Sequence, residues 1–110
     1  MSKLENLKVG SQKEKDFEII EARFTYLDME DKKRDFCIDL AKQAYKKKYD
    51  LELKYYRDMA KFMKEELDKK FEGSWHIIIG THFGSFCTYE VKCIALFWLE
   101  HLGFLIFKHG

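Results

Sequence analysis

The sequence predicts an α+β fold: an antiparallel β-sheet flanked by two helices, in the order β-α-α-β-β-β-β. Three observations carry this reading. Apolar residues recur at three- and four-residue spacing from Glu30 to Phe71, the period of a helix. The pattern then changes to that of strands, in four short segments separated by turn signals. Charge also splits the chain: before Ser74 nearly every turn carries Lys, Arg, Asp or Glu, and after it only Glu90, Lys92, Glu100 and Lys108 do. Helices segregated from a run of strands define the α+β class. The apolar half offers more surface than two helices can cover, which predicts a partner.

The elements follow in order. Residues 1–21 are polar and of mixed charge, and read as a mobile N-terminal extension of a domain spanning 22–110. Arg23-Phe24-Thr25-Tyr26-Leu27, closed by Asp28, fits a short strand on a sheet edge. From Glu30 to Tyr49, Cys37, Leu40, Ala41, Ala44 and Tyr45 make one helical stripe. Glu30 and Asp31 in its first turn and Lys46 to Lys48 in its last complement the helix dipole. There is no Pro, so the break at Asp50 to Leu53 needs turn chemistry, with Asp50 as the expected N-cap of a second helix. That helix runs from Leu53 to Phe71 on a stripe of Tyr56, Met59, Ala60, Met63, Leu67 and Phe71, and Gly73-Ser74 ends it as a C′ glycine would. Trp75–Gly80, Phe83–Thr88, Cys93–Leu99 and Leu102–Lys108 are the expected strands, joined as antiparallel hairpins.

Composition excludes several function classes. At 110 residues the chain is one domain, and a 46% hydrophobic share with 10 Phe, 6 Tyr and 2 Trp suffices for a core. Twenty Lys+Arg against nineteen Asp+Glu leave a net charge of +1, a poor basis for nucleic-acid binding. The run Lys46-Lys47-Lys48 reads as a solvated helix end. No segment approaches the roughly 20 apolar residues of a membrane span. Three cysteines, Cys37, Cys87 and Cys93, with no apolar leader, suggest free thiols in a cytoplasmic protein.

The run Glu66 to Phe71, then Trp75-His76, Gly80, Phe83-Gly84-Ser85-Phe86-Cys87-Thr88, Glu90, Lys92 and the ending Leu105 to Gly110 resembles the eight-kilodalton dynein light chain family. The likeness covers roughly residues 22 to 110, with a few extra residues near Tyr49 to Leu53. It implies a strand-exchanged homodimer in which Phe83 to Thr88 pairs in the partner's sheet. It further implies two symmetric grooves, each taking an extended client segment as one more strand, the mode called β-augmentation. Independently of it, Gly84 and Ser85 inside a strand suggest that another backbone comes close there.

Carried over residue by residue, the resemblance places Tyr56, Arg57, Phe83, Gly84, Ser85, Phe86, Cys87, Thr88, Leu96 and Trp98 at the peptide, and His76, Phe83, Ser85 and Thr88 at the dimer interface. Departures from the family pattern bear on the groove. Phe86 stands where Tyr is usual, Tyr56 where an acid is usual, and Cys93, Leu96 and Trp98 where His, Tyr and Tyr are usual. The implied clients are the dynein intermediate chain and other disordered linear motifs. A same-fold adaptor unattached to the motor is the alternative.

Catalytic readings are weak. Cys87 lies near His82 in sequence, but nothing supplies an orienting third group with a recognisable motif. A thiol enzyme or redox sensor at Cys87 is therefore the lower alternative. Cys87, Cys93, His82 and His101 lack metal-ligand spacing, and Gly80 to Ser85 lacks a phosphate-loop Lys. No catalytic residue, metal, cofactor or small-molecule substrate is expected.

Overall fold

The computed structural model describes residues 19–82 and 93–110. Strand β1 (Ala22–Met29) is followed by helices α1 (Asp31–Tyr49) and α2 (Tyr56–Lys70). Strands β2 (Trp75–Gly80), β3 (Cys93–Leu99) and β4 (Leu102–Lys108) complete the described fold. The expected strand Phe83–Thr88 and the extension up to residue 18 lie outside the described residues. The sheet is antiparallel in the order β1-β3-β4-β2. Among the described strands β1 is an edge, as its sequence suggested. β3 and β4 form a hairpin, whereas β2 pairs with β4 rather than with a strand next to it in the described sequence.

Alternation along each strand separates two faces. Met29, Cys93 and Trp75 share the helix side with Ala95, Ile106, Phe97 and Phe104. Cys37, Leu40, Ala41 and Ala44 of α1 and Met59, Met63 and Leu67 of α2 close over them. Phe97 and Phe104 stack at 5.4 Å between ring centroids, and both are fully buried. Each such side chain contributes about 1.5–3 kcal/mol on leaving water. The opposite face carries the rows Tyr26–Leu96–Leu105–Ile78 and Asp28–Ile94–Phe107–His76, which no helix among the described residues covers.

Both helix-boundary expectations need correction. Asp50 caps the end of α1, not the start of α2, because α1 continues through Tyr49 and the Asp50 N–H is taken by the Lys46 carbonyl. Its carboxylate also pairs with the Lys46 ammonium at 2.7 Å. Tyr55 is the N-cap of α2, and Asp58 reaches back to accept the Tyr55 N–H at 3.1 Å. Gly73 is not the C′ residue. The C-cap is Phe71, and Gly73 follows two residues on with φ +98°, where the chain turns into β2. The basic run is not merely solvated. Lys46 pairs with Asp50 and Lys47 with Glu52, while Lys48 donates to the Lys54 carbonyl and covers the Tyr56 ring.

Candidate functional site

Two regions hold the described residues of the expected site. The first is the outer face of the sheet. Leu96 and Trp98 alternate with buried Ala95, Phe97 and Leu99, so they point away from the helices. Trp98 donates its indole N–H to the Thr25 hydroxyl at 3.0 Å. Thr25 lies at the register shift between Phe24 and Tyr26, so this bond fixes the irregular part of β1. His76 lies on the same face in β2, stacked on Phe107 at 5.2 Å. Its Nε2 sits 3.0 Å from the His109 carbonyl, which requires a proton on that nitrogen. Ile94 and Leu105 are buried here, Leu96, Trp98 and Phe107 are half-buried, and Ile78 is 44% exposed.

The second region is the start of α2. Tyr56 is exposed and lies under the Lys48 ammonium, 5.5 Å from the ring centroid. Arg57 is stacked on the Tyr55 ring at 5.3 Å. Helix α2 packs over β2 on the helix side of the sheet. One chain therefore places Tyr56 and Arg57 on one side of the sheet, and Leu96, Trp98 and His76 on the other. Phe83, Gly84, Ser85, Phe86, Cys87 and Thr88 lie outside the described residues. Cys93, grouped by sequence with Leu96 and Trp98, belongs elsewhere. It pairs with Met29 and is buried in the core, because it falls on the other phase of β3.

The edge of β2 is the third feature. Among the described residues β2 has a neighbour on one side only, β4. A model of the family described as dynein light chain type 1 matches residues 21–109. The chain belongs to the dynein light chain family. Its fold is also similar to that of the dynein light chain-like domain of the Fasciola hepatica calcium binding protein FhCaBP2. That match has a TM-score of 0.72 at 15% identity, covering 86% of this chain and 96% of that one. A mercury derivative of the same domain matches with a TM-score of 0.68 at 14% identity, over 81% and 92% of the two chains. At such identity the likeness speaks for the dynein light chain fold alone.

Cys37 and Cys93 are free and buried. Burial pushes the Cys37 thiol up to about 12, so it is not a nucleophile at neutral pH. Among the described residues no group of three His, Cys, Asp or Glu converges as a metal site. No helix among them is long and apolar enough to cross a membrane. Sequence reasoning missed the loop between the helices as a surface. There Tyr49, Leu51 and Tyr55 are all exposed. The signal was present in the extra residues near Tyr49 to Leu53.

Proposed function

We propose that this dynein light chain family member is a non-enzymatic, dimeric hub that holds extended segments of client proteins by β-augmentation in two symmetric grooves. The observation that carries the reading is the division of the site. Tyr56 and Arg57 lie on the helix side of the sheet and Leu96 and Trp98 on the outer side. A groove using all four needs contributions from two chains. Among the described residues β2 is open on one side, and there, beside the apolar outer rows of the sheet, a second chain would add a strand. Two clients held side by side then bind more firmly than either alone, because the second capture is intramolecular. The dynein intermediate chain and other disordered linear segments are the proposed clients.

A peptide array probed with wild type, Thr88→Ala and Phe86→Asp tests this. Wild type should retain a subset of extended peptides, and Phe86→Asp should weaken them at least about tenfold, as loss of an apolar anchor does. Thr88→Ala should weaken those peptides that place a polar residue at the groove floor. Equal retention by all three proteins overturns the proposal.

A further inference from the structure

We infer that the connection between α1 and α2 is a second recognition element, an apolar platform rimmed by cations. It receives an acidic flank of the client that also carries a large apolar side chain. The inference rests on the peptide-binding reading above and extends it to residues outside the groove.

Leu51 is the starting point. Its φ is 66°, in the left-handed region, and it is 82% exposed. The local backbone explains the angle. The Leu51 N–H donates to the Lys48 carbonyl at 3.0 Å and the Glu52 N–H to the Lys47 carbonyl at 2.8 Å. This is a Schellman helix end, and its left-handed position favours glycine. A residue with a Cβ loses about 1–2 kcal/mol there. Burial does not offset that cost for a side chain so exposed. The apolar contact that often accompanies this motif is also missing. Glu52 stands at the position that would supply it and is ion-paired with Lys47 at 3.5 Å. The fold therefore gives no reason for leucine at this position, and an unexplained backbone outlier points towards function.

The surroundings say what the platform fits. Tyr49 and Tyr55 are about half exposed, at 50% and 54%, and Tyr56 is exposed as well. The rings are held in place: Lys48 lies over Tyr56 and binds the Lys54 carbonyl at 3.2 Å, and Arg57 covers Tyr55. A surface fixed in advance costs a ligand little ordering. Lys46 and Lys47 are matched by Asp50 and Glu52, but Lys48, Lys54 and Arg57 have no carboxylate partner among the described residues. Asp58, the nearest acid on α2, is turned back onto the Tyr55 N–H. Three unmatched cations around exposed aromatic and aliphatic carbon are complementary to Asp or Glu beside Leu, Phe or Tyr. Tyr56 and Arg57 join this platform to the groove residues, so one peptide can occupy both.

The test pans a phage-displayed library of random 16-residue peptides against wild type, Leu51→Gly, Lys48→Gln/Lys54→Gln and Phe86→Asp. Glycine suits the backbone at position 51, so Leu51→Gly should melt no lower than wild type. Wild type should enrich peptides with an acid next to a large apolar residue at one end. Leu51→Gly and the double Lys variant should each bind these about fivefold more weakly, and Leu51→Gly should bind flank-trimmed versions as wild type does. The advantage of the flank should fade at high salt. If trimming the flank costs wild type nothing, or Leu51→Gly binds flanked peptides normally, the platform is overturned and the groove reading stands. Flanked peptides that ignore Phe86→Asp but are lost with Leu51→Gly overturn the groove reading and keep the platform. No enrichment on any protein overturns both. A shift of Leu51→Gly from dimer to monomer makes the platform a contact between copies, and overturns the inference as well.

Discussion

Gly73 and Leu51 both occupy the left-handed region, and the chain treats them oppositely. At Gly73, with φ +98°, the chain leaves α2 and immediately joins the C-terminus, where the Ser74 N–H donates to the Gly110 carbonyl at 3.2 Å and the His109 N–H to the Ser74 carbonyl at 3.0 Å. A Cβ at Gly73 would also collide with the Lys108 side chain. Gly73→Ala is therefore expected to lower stability by about 1–2 kcal/mol, read as a fall in the urea midpoint. Lys108 is long and can swing aside, so the backbone angle should dominate. Adding Lys108→Ala to Gly73→Ala should restore little, and full rescue by it would show that the collision, not the angle, was responsible. The glycine was legible in the sequence as a helix stop. Its place two residues past the cap was not, because the exact stop depends on Asp68 and Lys64 reaching forward to the next strand.

That reach is the main feature at the scale of elements. Asp68 accepts the Trp75 N–H at 2.9 Å, and Lys64 donates to the Trp75 carbonyl at 2.7 Å and pairs with Asp68 at 3.1 Å. The last turns of α2 thus clamp both backbone groups of the first residue of β2. Slight burial raises the Asp68 carboxyl, but the Trp75 N–H and the Lys64 charge outweigh it and hold the group below its ordinary value of 3.8. A carboxyl depressed by folding stabilises the fold fully above that ordinary value. The contribution is lost as pH falls through the depressed one. Asp68→Ala should cost about 1–2 kcal/mol at pH 7, and should melt with a shallower pH dependence between pH 5 and 3 than wild type. Parallel slopes for the two proteins would remove Asp68 from the acid response. Such clamps are invisible to periodicity. What the sequence did disclose were the local patterns: the stripe of Cys37, Leu40, Ala41 and Ala44, the stripe of Met59, Met63 and Leu67, and the β3–β4 hairpin around Glu100-His101. The pairing of β2 with β4 was not disclosed, since it joins residues far apart in sequence. Nor was the true start of α2, because nothing local told that Asp50 would close the helix before it. At the site, alternation along β3 was enough to place Leu96 and Trp98 on one face. It also puts Cys93 on the other, although family likeness had grouped the three.

Among the described residues the sheet has one face covered by the helices and an outer face that no helix covers, yet Ile94 and Leu105 of that outer face are buried. The covered face is packed by two helices. The outer face carries Tyr26, Leu96, Leu105 and Ile78 in a single row, and His76 with Phe107 in the next. If a second copy covers that face around a two-fold axis near His76, the two imidazoles come into a dry interface. There a pair of like charges is costly. His76 already donates from Nε2 to the His109 carbonyl, so a second proton would enter on the nitrogen that this bond leaves free. A dimer paired through that face should therefore come apart on acidification, with sedimentation velocity showing one species at pH 7 and a lighter one at pH 5. His76→Lys carries the charge permanently and should be the lighter species at both values. His76→Phe keeps the ring stacked on Phe107 without a titrating nitrogen, and should stay paired at both. A His76→Lys protein that still sediments as a dimer at low pH would sever the link between this histidine and assembly. A His76→Phe protein that dissociates in acid like wild type would move the switch to another group.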